Sequence, residues 1–247
     1  MGGQIKDKEQ PYATNRINVI GNIVPNQIVI NEEKGYAKYL IMISSKSKEG
    51  EKEKKPEFYN FIHTIKDKDD ATLNTLKQIQ EQGVGKQVKV KGSISYSKNV
   101  NEQTGEVKYY NNFNAYSIQP TVDFLIPKAN IELTGLISKP LSIKEIAINN
   151  PDNKDNKKFA SLSIITLEGS EGKITKFHNI STSQYTLANN SEFLSSIKKG
   201  EQISLQGRLS GNGNIQLAKD SQVFKGINFE SAMLKDSKSS KEMNQER

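Results

Sequence analysis

Two stretches of this chain repeat one another at a nearly constant distance. EQISLQGRLS (Glu201 to Ser210) lies on KQVKVKGSIS (Lys86 to Ser95) at a shift of 115 residues, with Gly207 on Gly92. NIELTGLIS (Asn130 to Ser138) answers NRINVIGNI (Asn15 to Ile23), with Gly135 on Gly21 at a shift of 114. Landmarks so far apart that keep almost one offset imply tandem copies of one structural unit. The 247 residues then divide into two domains of ordinary size, with bounds expected at 12–122 and 123–228. A polar arm over 1–11 and a polar tail over 229–247, both without apolar periodicity, are expected to flank them.

Within the first copy the apolar residues alternate. Ile17 and Val19 flank Asn18, Val88 and Val90 flank Lys89, and YAKYLIMISS (Tyr36 to Ser45) and FYNFIHTI (Phe58 to Ile65) are short, aromatic and β-branched, all of which predicts strands. The period changes once, over Asp69 to Gln82, where Leu73, Leu76 and Ile79 recur at helical spacing and Gly83 ends the run. KKFASLSIITLEG, KITKFHNIS and SEFLSSIKKG, between Lys157 and Gly200, answer the second strand, the third strand and the helix in the second copy. Gly92, alone inside a strand pattern, predicts a bulge or a bend. Gly211 to Asn214 predicts a tight hairpin turn, short where the first copy carries a long polar connection from Asn99 to Glu106.

Composition narrows the chemistry. Cysteine is absent, which excludes disulfides, thiol catalysis and thiolate-bound zinc. No apolar run approaches the ~18 residues of a membrane span and no signal-peptide core is present, so a cytoplasmic location is expected, that of a host if the chain is phage- or plasmid-borne. His63 and His178, 115 apart, are expected at matching places in the two copies and lack metal-ligand spacing, which predicts structural histidines and no metal. GVGK (Gly83 to Lys86) lacks the first glycine and the Ser/Thr of a phosphate loop. No nucleophile and base pair stands out either, so neither an enzyme nor a cofactor is expected.

The stretch Lys86 to Tyr116 points elsewhere. Lys89, Lys91, Lys98 and Lys108 share a predicted hairpin with Tyr96, Tyr109, Tyr110 and Tyr116, and rings beside positive charge suit unpaired nucleic acid, since rings stack on bases and ammonium groups neutralise phosphates. Eight of the nine tyrosines precede residue 120, so the first copy is expected to be the main binding half. In the second copy Phe159 and Phe177 stand beside Lys158 and Lys176, a poorer groove.

The run NEQTGEVKYY (Asn101 to Tyr110), preceded by GKQVKVKGSISY, resembles the fourth strand and following hairpin of the bacterial single-stranded DNA-binding protein family, which has an OB-fold. NRINVIGNIV resembles its first strand, and Ser44 to Phe61 resembles its lysine-rich loop and third strand. The resemblance implies an all-β chain with short capping helices, built as two tandem five-stranded OB barrels, that coats single-stranded DNA in replication, recombination or repair. It implies base stacking by Phe58, at the place of a family tryptophan, and by Tyr109. Further contacts are expected from Asn60, from the loop lysines Lys46 and Lys48, and from Arg16 and Arg208. Replication proteins and a second copy of the chain are the implied partners, although the tail lacks the family's acidic Pro-Phe tip. Two rival readings are a protein-interaction scaffold of a replication complex and an RNA-binding or strand-annealing protein.

Overall fold

A computed structural model describes residues 14–44, 55–67, 69–146, 157–168, 174–182, 195–217 and 222–225. The expected arm, the expected tail, and Lys46 and Lys48 lie outside the described residues. So do residues 191–194 of the segment expected to be the second helix, of which Ser195 and Ser196 are helical.

The first copy comprises β1 (Thr14–Ile23), β2 (Val29–Asn31), β3 (Tyr36–Ile43), β4 (Glu57–Thr64), α1 (Ala71–Gln82), β5 (Gln87–Val100) and β6 (Val107–Pro120). β1 pairs with β3, β3 with β4, β4 in parallel with β6, β6 with β5, and β5 back with β1. The strands therefore close a ring and leave no long edge. The second copy comprises β7 (Lys128–Ile146), β8 (Lys157–Glu168), β9 (Ile174–Thr182), β10 (Gln202–Leu209), β11 (Ile215–Leu217) and β12 (Gln222–Lys225). It closes the same ring in the same order, β7 to β8 to β9, in parallel to β11, then β10 and back to β7. β12 runs beside β10 where the longer β6 continues along β5.

Alternation decides which side chains fill each ring. The first is packed with aromatics: Tyr39, Tyr59, Phe61 and Phe113 are all at most 2% exposed, with Tyr39 stacked on Phe61 at 5.6 Å between ring centres. Two of the early tyrosines are thus core, not surface. The second ring is aliphatic, filled by Leu162, Ile164, Ile180, Ile203, Leu205 and Ile215. These buried residues form one continuous cluster across both rings.

The helix begins at Asp70, whose carboxylate accepts from the N–H groups of Thr72 and Leu73, and it ends at Gly83 in the left-handed region at φ 63°. His63 ties this cap to the barrel, with Nε2 2.8 Å from Asp70 Oδ2 and Nδ1 3.1 Å from the Ala115 carbonyl. Burial opposes ionisation of Asp70, but bonds from the Leu73 N–H, the His63 ring and the Lys66 N–H outweigh it and hold the carboxyl below its ordinary value.

The expected irregularity at Gly92 is present. Lys91 pairs with Ser117 while Gly92 pairs with Ala115, which leaves Tyr116 as the extra residue of a bulge. Only glycine fits there, because a Cβ would stand 2.1 Å from the Asn114 carbonyl oxygen.

Candidate nucleic-acid interface

The two rings meet along their first strands. β1 and β7 pair antiparallel from Thr14 opposite Thr134 to Ile20 opposite Lys128, with Ile17 opposite Ile131 at the centre. Since Ile131 is the repeat equivalent of Ile17, a local two-fold axis passes between them. On either side the same relation recurs, with Ile17 paired to Gly92 and Ile131 paired to Gly207.

This junction lines up predicted contacts that lie far apart in sequence. Lys91, Asn18, Asn130 and Arg208 occupy one row across four adjacent strands, three strand spacings or ~14 Å in length. Positions paired in register share a face, so two cations flank two carboxamides in that row. Lys89 and Lys128 both pair with Ile20 and form a parallel row on the same face. Arg16 is exposed and stands opposite Glu132, so this predicted cation has an acidic neighbour across the ladder.

A second candidate surface is the outer side of β3 and β4. Phe58 is 44% exposed, pairs with Met42, and alternates with buried Tyr59. Asn60 is exposed beside Leu40, and Lys38 pairs with Ile62 further along, its ammonium 5.2 Å from the centre of the Tyr36 ring. The surface continues onto β6, where Asn114 pairs with Ile62, Asn112 and Asn114 donate to Ser97 Oγ and Ser95 Oγ, and Tyr110 stands exposed beyond them.

The second ring repeats this surface. Ile165 pairs with Phe177 as Met42 pairs with Phe58, and Ser163 pairs with Asn179 as Leu40 pairs with Asn60. Phe177 is 58% exposed, and Asn179 accepts from Ser163 Oγ at 2.7 Å. Phe58-Tyr59-Asn60 and Phe177-His178-Asn179 are therefore equivalents at a shift of 119, and His178 answers Tyr59 rather than His63. The parallel pairings agree, with Phe61 on Phe113 and Ile180 on Ile215. Asn179, Lys38 and Lys128 were missed as candidate contacts, and the shared Phe-x-Asn triplet is the signal that identifies Asn179.

Tyr96 sits differently from the other predicted rings. Its ring meets His178 edge-on at 5.7 Å, its hydroxyl lies 3.5 Å from the Gly213 carbonyl, and burial pushes its pKa up to about 12. It packs between the rings instead of on an open face. The Gly211 to Asn214 turn docks at the same boundary, where the Asn111 carboxamide donates to the Asn212 carbonyl and Gly211 approaches the Phe58 backbone too closely for any Cβ. Tyr59 reaches across as well, its hydroxyl 2.9 Å from the Leu209 carbonyl and 2.5 Å from Glu57 Oε2. Burial first, and Glu57 second, hold its pKa well above the ordinary phenol value. Lys176 falls on the same side of β9 as buried His178, away from Phe177, and is half-buried. Tyr109 pairs with Lys98, Lys108 with Asn99, Lys158 with Glu145 and Phe159 with Lys144 in the ladders, while these side chains lie outside the described residues.

Among the described residues no group of three His, Asp or Glu side chains converges as a metal site, and no helix is long and apolar enough to cross a membrane. No protein-family model matches the chain, and no curated protein matches it in sequence. Among solved structures, the chain is similar to a deletion mutant of the single-stranded DNA binding protein from Thermus aquaticus, at 15% identity and a TM-score of 0.55, over 87% of this chain and 96% of that one. The wild-type form of that protein matches at 15% identity and a TM-score of 0.52, over 85% and 92%. At this identity the likeness is one of fold, and it fixes the chain as a strand-rich protein of the OB type.

Proposed function

We propose that the chain binds single-stranded DNA without catalysis, as two tandem OB barrels covering 12–122 and 123–228. The observation that carries this reading is the exposed phenylalanine and asparagine on the third strand of each ring, Phe58 with Asn60 and Phe177 with Asn179. An exposed ring flanked by a hydrogen-bonding carboxamide suits an unpaired base, because every base has a flat face and a polar edge. The rows of Lys91 and Arg208 and of Lys89 and Lys128 supply charge for the phosphates between the two faces. The fold shared with single-stranded DNA binding proteins from Thermus aquaticus supports the same reading.

In this role both rings contact the strand, and Tyr96 contributes by joining them. The setting is replication, recombination or repair in a cytoplasm, with replication proteins and a second copy of the chain as partners. Titration of the whole chain with a labelled dT oligomer tests the reading against variants Phe58→Ala, Phe177→Ala and the double variant. Progressive weakening is expected, and unchanged affinity in the folded double variant would overturn it.

A further inference from the structure

Tyr116 has no partner position on β5, because Ala115 and Ser117 take the successive pairings with Gly92 and Lys91. Bulges re-aim side chains, and this one leaves Tyr116 61% exposed on the junction side of the first ring. There it lines an open cleft of about 460 Å³ with Lys91, Lys128, Asn18, Asn130 and Gln206. That volume falls in the ~300–1,000 Å³ range of small-ligand sites.

The lining is specific in its chemistry. One phenol ring stands with two ammonium groups and three carboxamides, while Arg16 and Glu132, opposite each other on the β1–β7 ladder, add one further charge of each sign to the lining. Asn18 stands in the row between Lys91 and Asn130, at the meeting of the two rings.

We propose that this cleft is a nucleotide subsite. Tyr116 stacks on one unpaired base, while Lys91 and Lys128 hold the adjoining phosphates. A strand passing between the Phe58 and Phe177 faces is then gripped midway, and the glycine at position 92 is required because it builds the bulge that presents the ring. Every base carries a flat face for the Tyr116 ring, so the subsite holds a strand without selecting a sequence. This inference rests on the single-strand reading above.

The test is photocrosslinking of the full chain to dT oligomers carrying one 5-iodouracil, moved position by position, with adducts mapped by mass spectrometry. An adduct on Tyr116 is expected from positions between those that label Phe58 and Phe177. Tyr116→Ala should weaken binding of an oligomer spanning both faces by roughly five- to a hundredfold, the equivalent of one stacked base, while Tyr116→Phe retains it. Adducts on Phe58 and Phe177 with none on Tyr116, or unchanged affinity of Tyr116→Ala, would overturn the subsite and leave the single-strand reading intact. Failure of the unmodified chain to bind any single strand would overturn both.

Discussion

Phe58 and Phe177 occupy the same register position on the third strands of the two rings, and both rings are exposed. If each stacks on a base, Phe58→Ala and Phe177→Ala should each weaken dT binding by about 1–3 kcal/mol. Fluorescence titration of the two variants in parallel checks this. Comparable losses are expected, and a loss confined to Phe58→Ala would mean that the first ring binds alone.

The junction rows carry the electrostatic expectation. Lys91→Ala and Lys128→Ala should each lower the slope of log affinity against log salt by roughly 0.7, the single-strand value per phosphate contact. Binding measured across a salt series reads the slope directly, and parallel lines would show that these lysines are only solvated.

The docked turn links the two rings. Gly213 has φ 78°, and a Cβ there would fall 2.3 Å from Asn111 Nδ2. Gly213→Ala should therefore release the turn from β6 and raise amide hydrogen exchange over 210–214. Exchange equal to that of the unmodified protein would show that the turn does not depend on this contact.

Asp70 gives a pH dependence with a definite sign. Its folded-state pKa lies below the unfolded value, so its stabilisation is complete above the ordinary carboxylate pKa of about 3.9 and is lost as pH falls through the depressed folded value. Asp70→Ala also removes the helix cap, at a cost of about 0.5–2 kcal/mol at neutral pH. Denaturant melts at pH 7 and pH 3 should show a smaller acid-induced loss in the variant than in the parent.

Much of this arrangement was legible in the sequence, for identifiable reasons. The repeat offset, the change of period at Leu73, the stop at Gly83 and the bulge at Gly92 are local signals, each fixed by one periodicity or one glycine. The pairing of His63 with His178 misled because the copies differ in the length of the segments between their strands. The offset is 114 at Ile17 and 119 at Phe58, so one constant shift places the wrong residues together. The tyrosine count overstates the number of surface rings for another reason, since alternation does not say which side of a strand is inside, and Tyr39 and Tyr59 fill the core. The row of Lys91, Asn18, Asn130 and Arg208 was not readable at all, because it depends on how β1 registers against β7.

The most direct test of the account is anisotropy titration of the intact chain with labelled dT oligomers of increasing length, beside a duplex of the same length, at two salt concentrations. The account predicts affinity for the single strand that rises with length until both Phe faces are spanned, falls with salt, and greatly exceeds affinity for the duplex. Equal binding to duplex and single strand, or affinity independent of length, would contradict it.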